Sequence, residues 1–338
     1  MVKKVFAGIG IALLTLWAAL AIYYSNLPGE WLRGLAAALF VVGTIVVCWR
    51  VRPWRRASGV FLGGWVAVLI WWELIPASND RDWLPEVAVL PTATITGDKV
   101  TIRNIRNFDY RTVKDFTPRY YDKTFDLSQL DSVDLICAYW GSDAIAHVMV
   151  SFGFGGKDYV CFSIERRVER GEPSTTLRGI FRQYELAYVV GDERDLIRVR
   201  TNYRQPNNEL YLYRARIPVE NQRALFLDYV RALNQLAERP QWYNTLTDNC
   251  TTGVLLHTRA YEGRARYNWK ILLSGYTAEY AYEIGGLDNT LSFAELKQRA
   301  HVNERARAAD QAADFSQRIR AGVPMPAPYR LEEFRRKS

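Results

Sequence analysis

The sequence predicts an α+β protein in which three N-terminal transmembrane helices precede a domain built from an antiparallel sheet with packed helices. Three observations lead to this class. The first 77 residues contain three long apolar runs. Short apolar runs separated by glycine and aspartate turns follow them, as in consecutive antiparallel strands. Beyond Pro218, apolar residues recur at helical spacing.

The apolar runs cover residues 5–24, 35–49 and 60–75, and each approaches the roughly 20 residues that cross a bilayer. In the third run, the tryptophans fit an aromatic belt at a membrane interface: Trp65, Trp71 and Trp72. A cleaved signal peptide would explain the first run alone. Three core helices of a soluble protein are the other alternative. The interiors of the runs lack charge apart from Glu73 near the end of the third, which favours membrane spans.

Basic residues orient the predicted spans. They precede the first run and separate the second from the third: Lys3, Lys4, Arg50, Arg52, Arg55 and Arg56. The loop between the first two runs carries only Arg33 against Glu30. The positive-inside rule therefore puts the N-terminus in the cytoplasm. An odd number of spans then places the rest of the chain outside the cytoplasm, on the periplasmic side of a bacterial inner membrane.

The whole chain carries an excess of basic residues. Lys and Arg number 44 against 36 Asp and Glu, which gives a net charge of +8. Beside a bilayer such a surface attracts anionic lipid headgroups. The compartment and the lack of a recognition motif argue against nucleic acid as a partner. The predicted organisation is a membrane anchor over 1–77, a linker over 78–92, a catalytic domain over 93–285 and a helical, basic extension over 286–338.

The elements of the outer domain follow from local patterns. Residues 94–106 alternate around Gly97 and Asp98, which predicts a hairpin. Further strands are predicted over residues 133–140, 144–152, 159–164, 184–190 and 210–217. An amphipathic helix is predicted over residues 219–238, a second from Cys250, and two short ones over 293–300 and 304–319.

Four cysteines are present: Cys48, Cys137, Cys161 and Cys250. Cys48 lies in a predicted span, so the outer domain has three and at least one thiol stays unpaired. Either Cys137 and Cys161 form a disulfide, or all three thiols are reduced. Both alternatives leave Cys250 free.

Cys250 stands at a predicted helix start. Asn249 is a good N-cap, and the apolar run after Cys250 continues the helix. The first turn of a helix favours an anion, and a thiol there becomes a reactive thiolate. The alternative is a buried structural cysteine.

The three histidines are candidates for a base that activates this thiol. His301 falls in a charged segment, and His257 lies two helical turns after Cys250, too far for a hydrogen bond. His147 lies inside an apolar strand, either as a base or as a satisfied core histidine. Glu165 ends the next strand, where it either orients His147 or pairs at the surface with Arg166, Arg167 or Arg200. Cys250, His147 and Glu165 together make a Cys–His–Glu arrangement.

The order of these residues resembles the circularly permuted papain-like folds, in which the histidine precedes the nucleophilic cysteine. More closely, the chain resembles the family named for the N-terminal periplasmic domain of Lnb, a bacterial lipoprotein N-acyltransferase. The resemblance covers roughly residues 95–275. It is carried by the stretches 104–110 (Asn-Ile-Arg-Asn-Phe-Asp-Tyr), 146–147 (Ala-His), 163–167 (Ser-Ile-Glu-Arg-Arg), 193–195 (Glu-Arg-Asp), 243–244 (Tyr-Asn) and 249–252 (Asn-Cys-Thr-Thr).

The resemblance implies a papain-like domain with Cys250 as nucleophile, His147 as base and Glu165 as orienting acid. It also implies an acyltransferase that needs no cofactor or metal, with membrane phospholipid and a lipid-modified lipoprotein as substrates. On this reading the thiolate attacks a lipid ester and passes the acyl group to an amine. The backbone N–H of Cys250, with Asn249, would stabilise the oxyanion.

Other residues are weaker candidates for substrate contacts. Tyr139, Trp140, Trp242 and Tyr243 line an acyl groove or are plain core. Asp195, Arg200 and Arg204 bind a phosphate headgroup or form an internal ion-pair cluster. Two other functions stay open: a cysteine hydrolase of the cell envelope with the same three residues, and an inactive membrane-anchored binding module.

Overall fold

The computed structural model describes residues 2–206, 208–261 and 265–326 and confirms the α+β class. It divides into two compact units. A helical unit contains the chain up to Arg81 together with the later segments Gly171–Glu185 and Gln241–Thr245. A sheet unit contains Asp82–Arg170, Leu186–Pro240 and the chain from Leu246 onward.

The described helices are α1 (Val2–Tyr23), α2 (Glu30–Arg50), α3 (Trp54–Glu73), α4 (Pro85–Ala88), α5 (Glu193–Leu196), α6 (Val219–Glu238), α7 (Cys250–His257), α8 (Trp269–Leu272), α9 (Thr277–Glu283), α10 (Phe293–Ala300), α11 (Asn303–Ala308) and α12 (Phe315–Ile319). The described strands are β1 (Thr92–Thr96), β2 (Lys99–Arg106), β3 (Asp109–Tyr110), β4 (Phe116–Thr117), β5 (Tyr120–Asp126), β6 (Leu130–Trp140), β7 (Ser142–Phe154), β8 (Asp158–Arg167), β9 (Glu185–Gly191) and β10 (Glu209–Arg214).

Two N-terminal helices, rather than the three expected, are long and apolar enough to cross a membrane. They are Val5–Tyr23 within α1 and Glu30–Arg50, which is α2. The third expected helix forms as α3, but the prediction that it spans the membrane is wrong. Arg55 and Arg56 at its start and Glu73 at its end lower its hydropathy, as do its tryptophans. With two candidate spans, the positive-inside rule no longer predicts that the chain after them lies outside the cytoplasm.

The helical unit is discontinuous in sequence. The segments Gly171–Glu185 and Gln241–Thr245 belong to it, and their side chains donate to backbone carbonyls at the ends of the helices. These bonds run from Gln183 Nε2 to Tyr24 O (2.6 Å), from Arg182 Nη1 to Trp72 O (2.9 Å) and from Trp242 Nε1 to Ile75 O (3.1 Å). The ring of Phe181 stacks on Tyr24 with centroids 5.7 Å apart.

The sheet unit is organised by one large sheet with strand order β1-β2-β9-β8-β7-β6-β10, and β5 pairs with β2. The predicted hairpin forms, with Thr96 opposite Lys99. Strands β6, β7 and β8 form the predicted antiparallel meander. The sheet is mixed rather than purely antiparallel, because Arg106 of β2 pairs in parallel with Gly191 of β9.

Side chains of a strand alternate between the two faces of a sheet. Here both faces carry apolar side chains, and helices cover both. One face carries Leu135, Val150 and Phe162, and α6 supplies core residues against it. The other face carries Ile136, Met149 and Cys161 against α11 and α12. The single helix expected over 304–319 is interrupted after Ala308, so two short helices supply those contacts.

The start of α7 approaches the sheet where two strands separate. The pairing of β7 with β8 runs from Phe154 opposite Asp158 to Met149 opposite Ser163 and stops there. Helix α7 packs on both strands, and a Cβ added to Gly253 would lie 2.5 Å from Ile164 Cδ1. A glycine at this position therefore lets the first turn of α7 lie close to the ends of both strands.

Candidate active site

Cys250 is the first residue of α7, as the sequence predicts. The Asn249 side chain accepts hydrogen bonds from the backbone N–H groups of Thr251 (2.9 Å) and Thr252 (3.0 Å). In return, the Thr252 hydroxyl accepts from the Asn249 backbone N–H at 2.8 Å. This reciprocal capping box fixes the start of the helix and holds Cys250 in its first turn. Asn249 therefore has a demonstrated capping role, and its oxyanion role stays a prediction.

The Cys250 thiol lies beside His147, where β7 and β8 separate. The two side chains are hydrogen-bonded, and the backbone N–H of Val148 also donates to the sulfur. Val148 lies just beyond the last pair of β7 with β8, so a neighbouring β8 carbonyl does not compete for this N–H. The Thr251 hydroxyl, 3.8 Å from the sulfur, acts in the same direction, so three neighbouring groups favour the thiolate form of Cys250.

A relay of hydrogen bonds continues from the other side of the His147 ring. Nε2 lies 2.6 Å from the Ser163 hydroxyl, which donates to Glu165 Oε1 at 2.6 Å. The same carboxylate oxygen lies 3.1 Å from Nε2 and accepts from Arg200 Nη2 at 3.0 Å. Since Ser163 gives its proton to Glu165, Nε2 is the donor to Ser163. Nδ1 is then the ring nitrogen left for the thiol.

The charges in this group shift the pKa values toward an ion pair. Burial alone would raise the pKa of the Cys250 thiol, but the charge and hydrogen bond of His147 outweigh it and lower that pKa. Burial would lower the pKa of His147, yet Glu165 and Cys250 raise it to about 9. Burial opposes ionisation of Glu165 as well, but His147 and Arg200 hold its pKa well below the usual range. The group therefore favours thiolate, imidazolium and carboxylate.

The structure thus brings Cys250, His147 and Glu165 together with two further side chains, Ser163 and Arg200. Ser163 was not assigned a role, although it shares a sheet face with Glu165 two positions later, a signal that strand alternation provides. From the sequence, Arg200 is expected either in a headgroup contact or in a surface pair with Glu165, and the pair with Glu165 does form. Arg200 is buried, and its other donor bonds the Leu196 carbonyl at 2.7 Å.

The three candidate headgroup residues have separate roles. Asp195 is fully buried, and it accepts from Arg106 Nε (2.9 Å) and Nη2 (2.8 Å) and from the Phe108 N–H (2.8 Å). This is the internal ion pair that was the alternative. Arg204 donates to Asn208 at 2.9 Å, and burial together with the charge of Arg200 lowers its pKa to about 10.

The four aromatic candidates for an acyl groove do not form a common surface within either unit. Tyr139 is buried in the sheet unit, where its hydroxyl donates to Gly275 O at 2.6 Å. Trp140 in the same unit is largely exposed. Trp242 and Tyr243 belong to the helical unit. Tyr139 therefore fits the alternative of plain core.

The other histidines and cysteines serve elsewhere. His257 is buried, with Nδ1 2.7 Å from Asp228 Oδ2 and Nε2 2.7 Å from the Tyr188 hydroxyl, which makes it a satisfied core histidine. His301 Nε2 lies 2.6 Å from Glu209 Oε2. All four cysteines are free: Cys48, Cys137, Cys161 and Cys250. The possible disulfide is absent because β7 lies between β6 and β8, the strands that carry its two cysteines.

Metal ligands were not expected from the sequence. Within residues 2–206, 208–261 and 265–326, no group of three or more His, Cys, Asp or Glu side chains is arranged to hold a metal ion.

Comparison with known proteins supports the resemblance seen in the sequence. Residues 116–275 match the family described as the Lnb N-terminal periplasmic domain, which confirms the suspected family for this segment. The segment contains Cys250, His147 and Glu165. Neither the curated proteins nor the solved structures gave a match.

Proposed function

We propose that this protein is a membrane-anchored thiol acyltransferase. It moves an acyl chain from a membrane lipid, through a thioester on Cys250, to an amine such as the N-terminal cysteine of a lipoprotein. The observation that carries the proposal is the position of Cys250 at a capped helix start beside His147, whose ring is held by Ser163 and Glu165. The lowered pKa of the thiol and the raised pKa of the imidazole agree with this arrangement. The match to the periplasmic domain family of Lnb supports the same reaction class.

In the first half-reaction the Cys250 thiolate attacks the ester carbonyl of the donor. The cap uses the N–H groups of Thr251 and Thr252, so the N–H of Cys250 is the donor at this helix start that the cap leaves for the oxyanion. The intermediate expels the lipid alkoxide, which takes the proton of the His147 imidazolium. The products are an acyl thioester, a lysolipid alcohol and a neutral imidazole.

In the second half-reaction an amine attacks the thioester carbonyl. His147 takes a proton from the attacking nitrogen, and the Cys250 thiolate leaves as the amide forms. Glu165 stabilises the returning imidazolium, and Ser163 keeps the ring in the tautomer that leaves Nδ1 toward the sulfur. Both half-reactions therefore return the site to its ion-paired state.

The proposed location is a bacterial inner membrane, with the sheet unit in the periplasm. Two apolar helices near the N-terminus and the periplasmic family of residues 116–275 support membrane anchorage of a periplasmic domain. A lipid donor and a lipoprotein acceptor are both held at a membrane surface. This location therefore suits the reaction.

The experiment compares lipoprotein N-termini by mass spectrometry in cells with the protein, without it, and with the Cys250→Ala variant. We expect N-acylated termini only with the unaltered protein, and loss of at least about 10²-fold in the variant. The Cys48→Ser variant, altered outside the site, should retain N-acylation. Unchanged N-termini in all strains would contradict the proposal.

Two further measurements separate the alternatives. Purified protein incubated with a fluorescent acyl phospholipid should carry the acyl label on the Cys250 peptide. Release of free fatty acid without transfer to an amine would indicate the hydrolase. An inert Cys250, alkylated with the pH profile of an ordinary thiol, would indicate the binding module.

A further inference from the structure

The sheet unit contains an apolar cavity that the candidate groove residues do not line. Its volume is about 150 Å³, and it lies between the sheet and the helices on one face. The sheet contributes Leu135 and Val150, and the helices contribute Leu225 of α6 and Ala281 of α9. Buried apolar residues that pack on this face of the sheet surround the cavity.

The helix that carries the nucleophile forms one wall of this cavity. Its lining residues follow helical spacing along one side of α7: Thr251, Val254, Leu255 and Thr258. Thr251 is the next residue after Cys250, and Val254 lies one turn beyond it. Residues four apart lie on the same face of a helix, so Val254 is the neighbour that connects Cys250 with the cavity. Cys250 and Val254 both pack against the same core cluster.

Large exposed apolar side chains occur beside the lining residues in the chain. They are Leu256, Tyr267, Trp269, Leu272 and Leu273, each at least one-third exposed. Leu256 follows the lining residue Leu255, and Leu272 follows the lining residue Ile271. Exposed apolar clusters of this kind mark surfaces that meet lipid or another apolar partner. The cavity therefore has apolar residues both inside and at the neighbouring surface.

The lining also contains a polar atom without a described partner. The Tyr229 hydroxyl is buried and accepts or donates no hydrogen bond among the residues that the structure describes. A buried polar group of this kind favours a bound molecule that supplies an oxygen or a water.

We propose that this cavity binds the acyl chain of the Cys250 thioester. The proposal rests on the acyltransferase function and adds the place where the chain is held. Apolar cavities of about 150 Å³ bind molecules of the size of benzene. The cavity therefore receives roughly six carbons of the chain. Longer chains continue past the exposed apolar residues.

The test uses N-alkylmaleimides as chain-length probes of Cys250, because their reaction requires the thiolate and no acyl transfer. Full-length protein in detergent is treated with N-ethyl-, N-hexyl- and N-dodecylmaleimide, and alkylation of the Cys250 peptide is measured by mass spectrometry. Each buried methylene increases binding about fourfold, so we expect the hexyl reagent to react at least about tenfold faster than the ethyl reagent. The gain from hexyl to dodecyl should be smaller.

The variant Ala281→Phe fills the cavity, and Ala308→Phe adds the same bulk at an exposed site of α11. We expect Ala281→Phe to lose most of the hexyl preference while its ethyl rate stays within about twofold of the parent protein. Ala308→Phe should keep the preference. If Ala281→Phe fails to fold, Ala215→Leu, at another lining position, provides the same test.

An unaltered protein without a preference for hexyl over ethyl would overturn the proposal. So would an Ala281→Phe variant that keeps the preference. The outcome is separate from the proposed function, because alkylation needs no transfer. If the protein shows the chain-length preference but never transfers an acyl group, the cavity binds alkyl chains and the proposed acyltransferase function is wrong.

Discussion

Glu165 Oε1 lies 3.1 Å from His147 Nε2, and the Ser163 hydroxyl bonds both groups at 2.6 Å. Glu165 therefore contacts His147 both directly and through the Ser163 hydroxyl. Arg200 holds the same carboxylate oxygen from the opposite side at 3.0 Å. The carboxylate stays ionised in this setting, and its charge reaches the thiol through the imidazole. Each member of this relay can be tested by itself.

Replacing Glu165 with Gln should make Cys250 a weaker acid. The amide cannot stabilise the imidazolium, so the pKa of His147 falls and the thiolate loses its counter-charge. We expect transfer activity to fall by about 10²-fold and the pH profile of iodoacetamide alkylation at Cys250 to move to higher pH.

The matched control for this change is Glu304→Gln, at an exposed position of α11. It should leave both readings unchanged. An alkylation profile in Glu165→Gln that coincides with that of the parent protein would show that Glu165 does not act through His147.

Replacing Ser163 with Ala removes one of the two contacts between His147 and Glu165. The direct contact at 3.1 Å remains, so we expect a partial loss of kcat, about fivefold, with little change in KM. Steady-state kinetics with the acyl donor measure both constants.

Ser151→Ala is the comparison, because Ser151 donates to Glu193 at 2.6 Å on a strand of the same sheet but outside the site. It should lower the stability and leave kcat unchanged. Equal kinetic effects of the two serine variants would argue against a positioning role for Ser163.

The pKa of His147 predicts a pH-dependent contribution to stability. Folding raises this pKa from 6.5 to about 9, so the protonated ring stabilises the folded state. The contribution is fully present below pH 6.5 and is lost as the pH rises through about 9. The difference in unfolding free energy between the parent protein and His147→Gln should therefore be larger at pH 6 than at pH 10. A difference that is constant over this range would contradict the raised pKa.

A buried ion-pair cluster on the other face of the sheet should dominate the stability of the C-terminal helices. Arg320, just after α12, donates to Asp134 of β6 at 2.7 Å and to Glu193 of α5 at 2.7 Å. Arg320→Met leaves these two buried carboxylates without their shared cation. We expect the unfolding free energy to fall by about 3–5 kcal/mol, measured by urea denaturation. Arg318→Met, an exposed neighbour that pairs only with Asp314 among the described residues, should cost much less.

Local signals explain why the central site residues were predictable. A cap followed by an apolar run marks the start of α7, and alternation along β7 and β8 puts His147 near Glu165. Ser163 was within reach of the same alternation argument. The pair of Arg200 with Glu165 was one of the alternatives, but its burial beside His147 was not predictable, because it depends on the path of the chain after β9. The prediction of a third span was wrong because the charges at both ends of α3 lower its mean hydropathy, although its middle is apolar.

The discontinuous helical unit has a practical consequence for any attempt to obtain the sheet unit as a soluble fragment. A fragment that begins at Asp82 would lack the helices to which Gly171–Glu185 and Gln241–Thr245 are bonded. Phe181 would lose the Tyr24 ring, and Arg182 and Trp242 would lose their carbonyl acceptors. Newly exposed aromatic surface promotes aggregation. The sheet unit is therefore best purified together with the helical unit, and a clean proteolytic boundary between the two units does not exist along this chain.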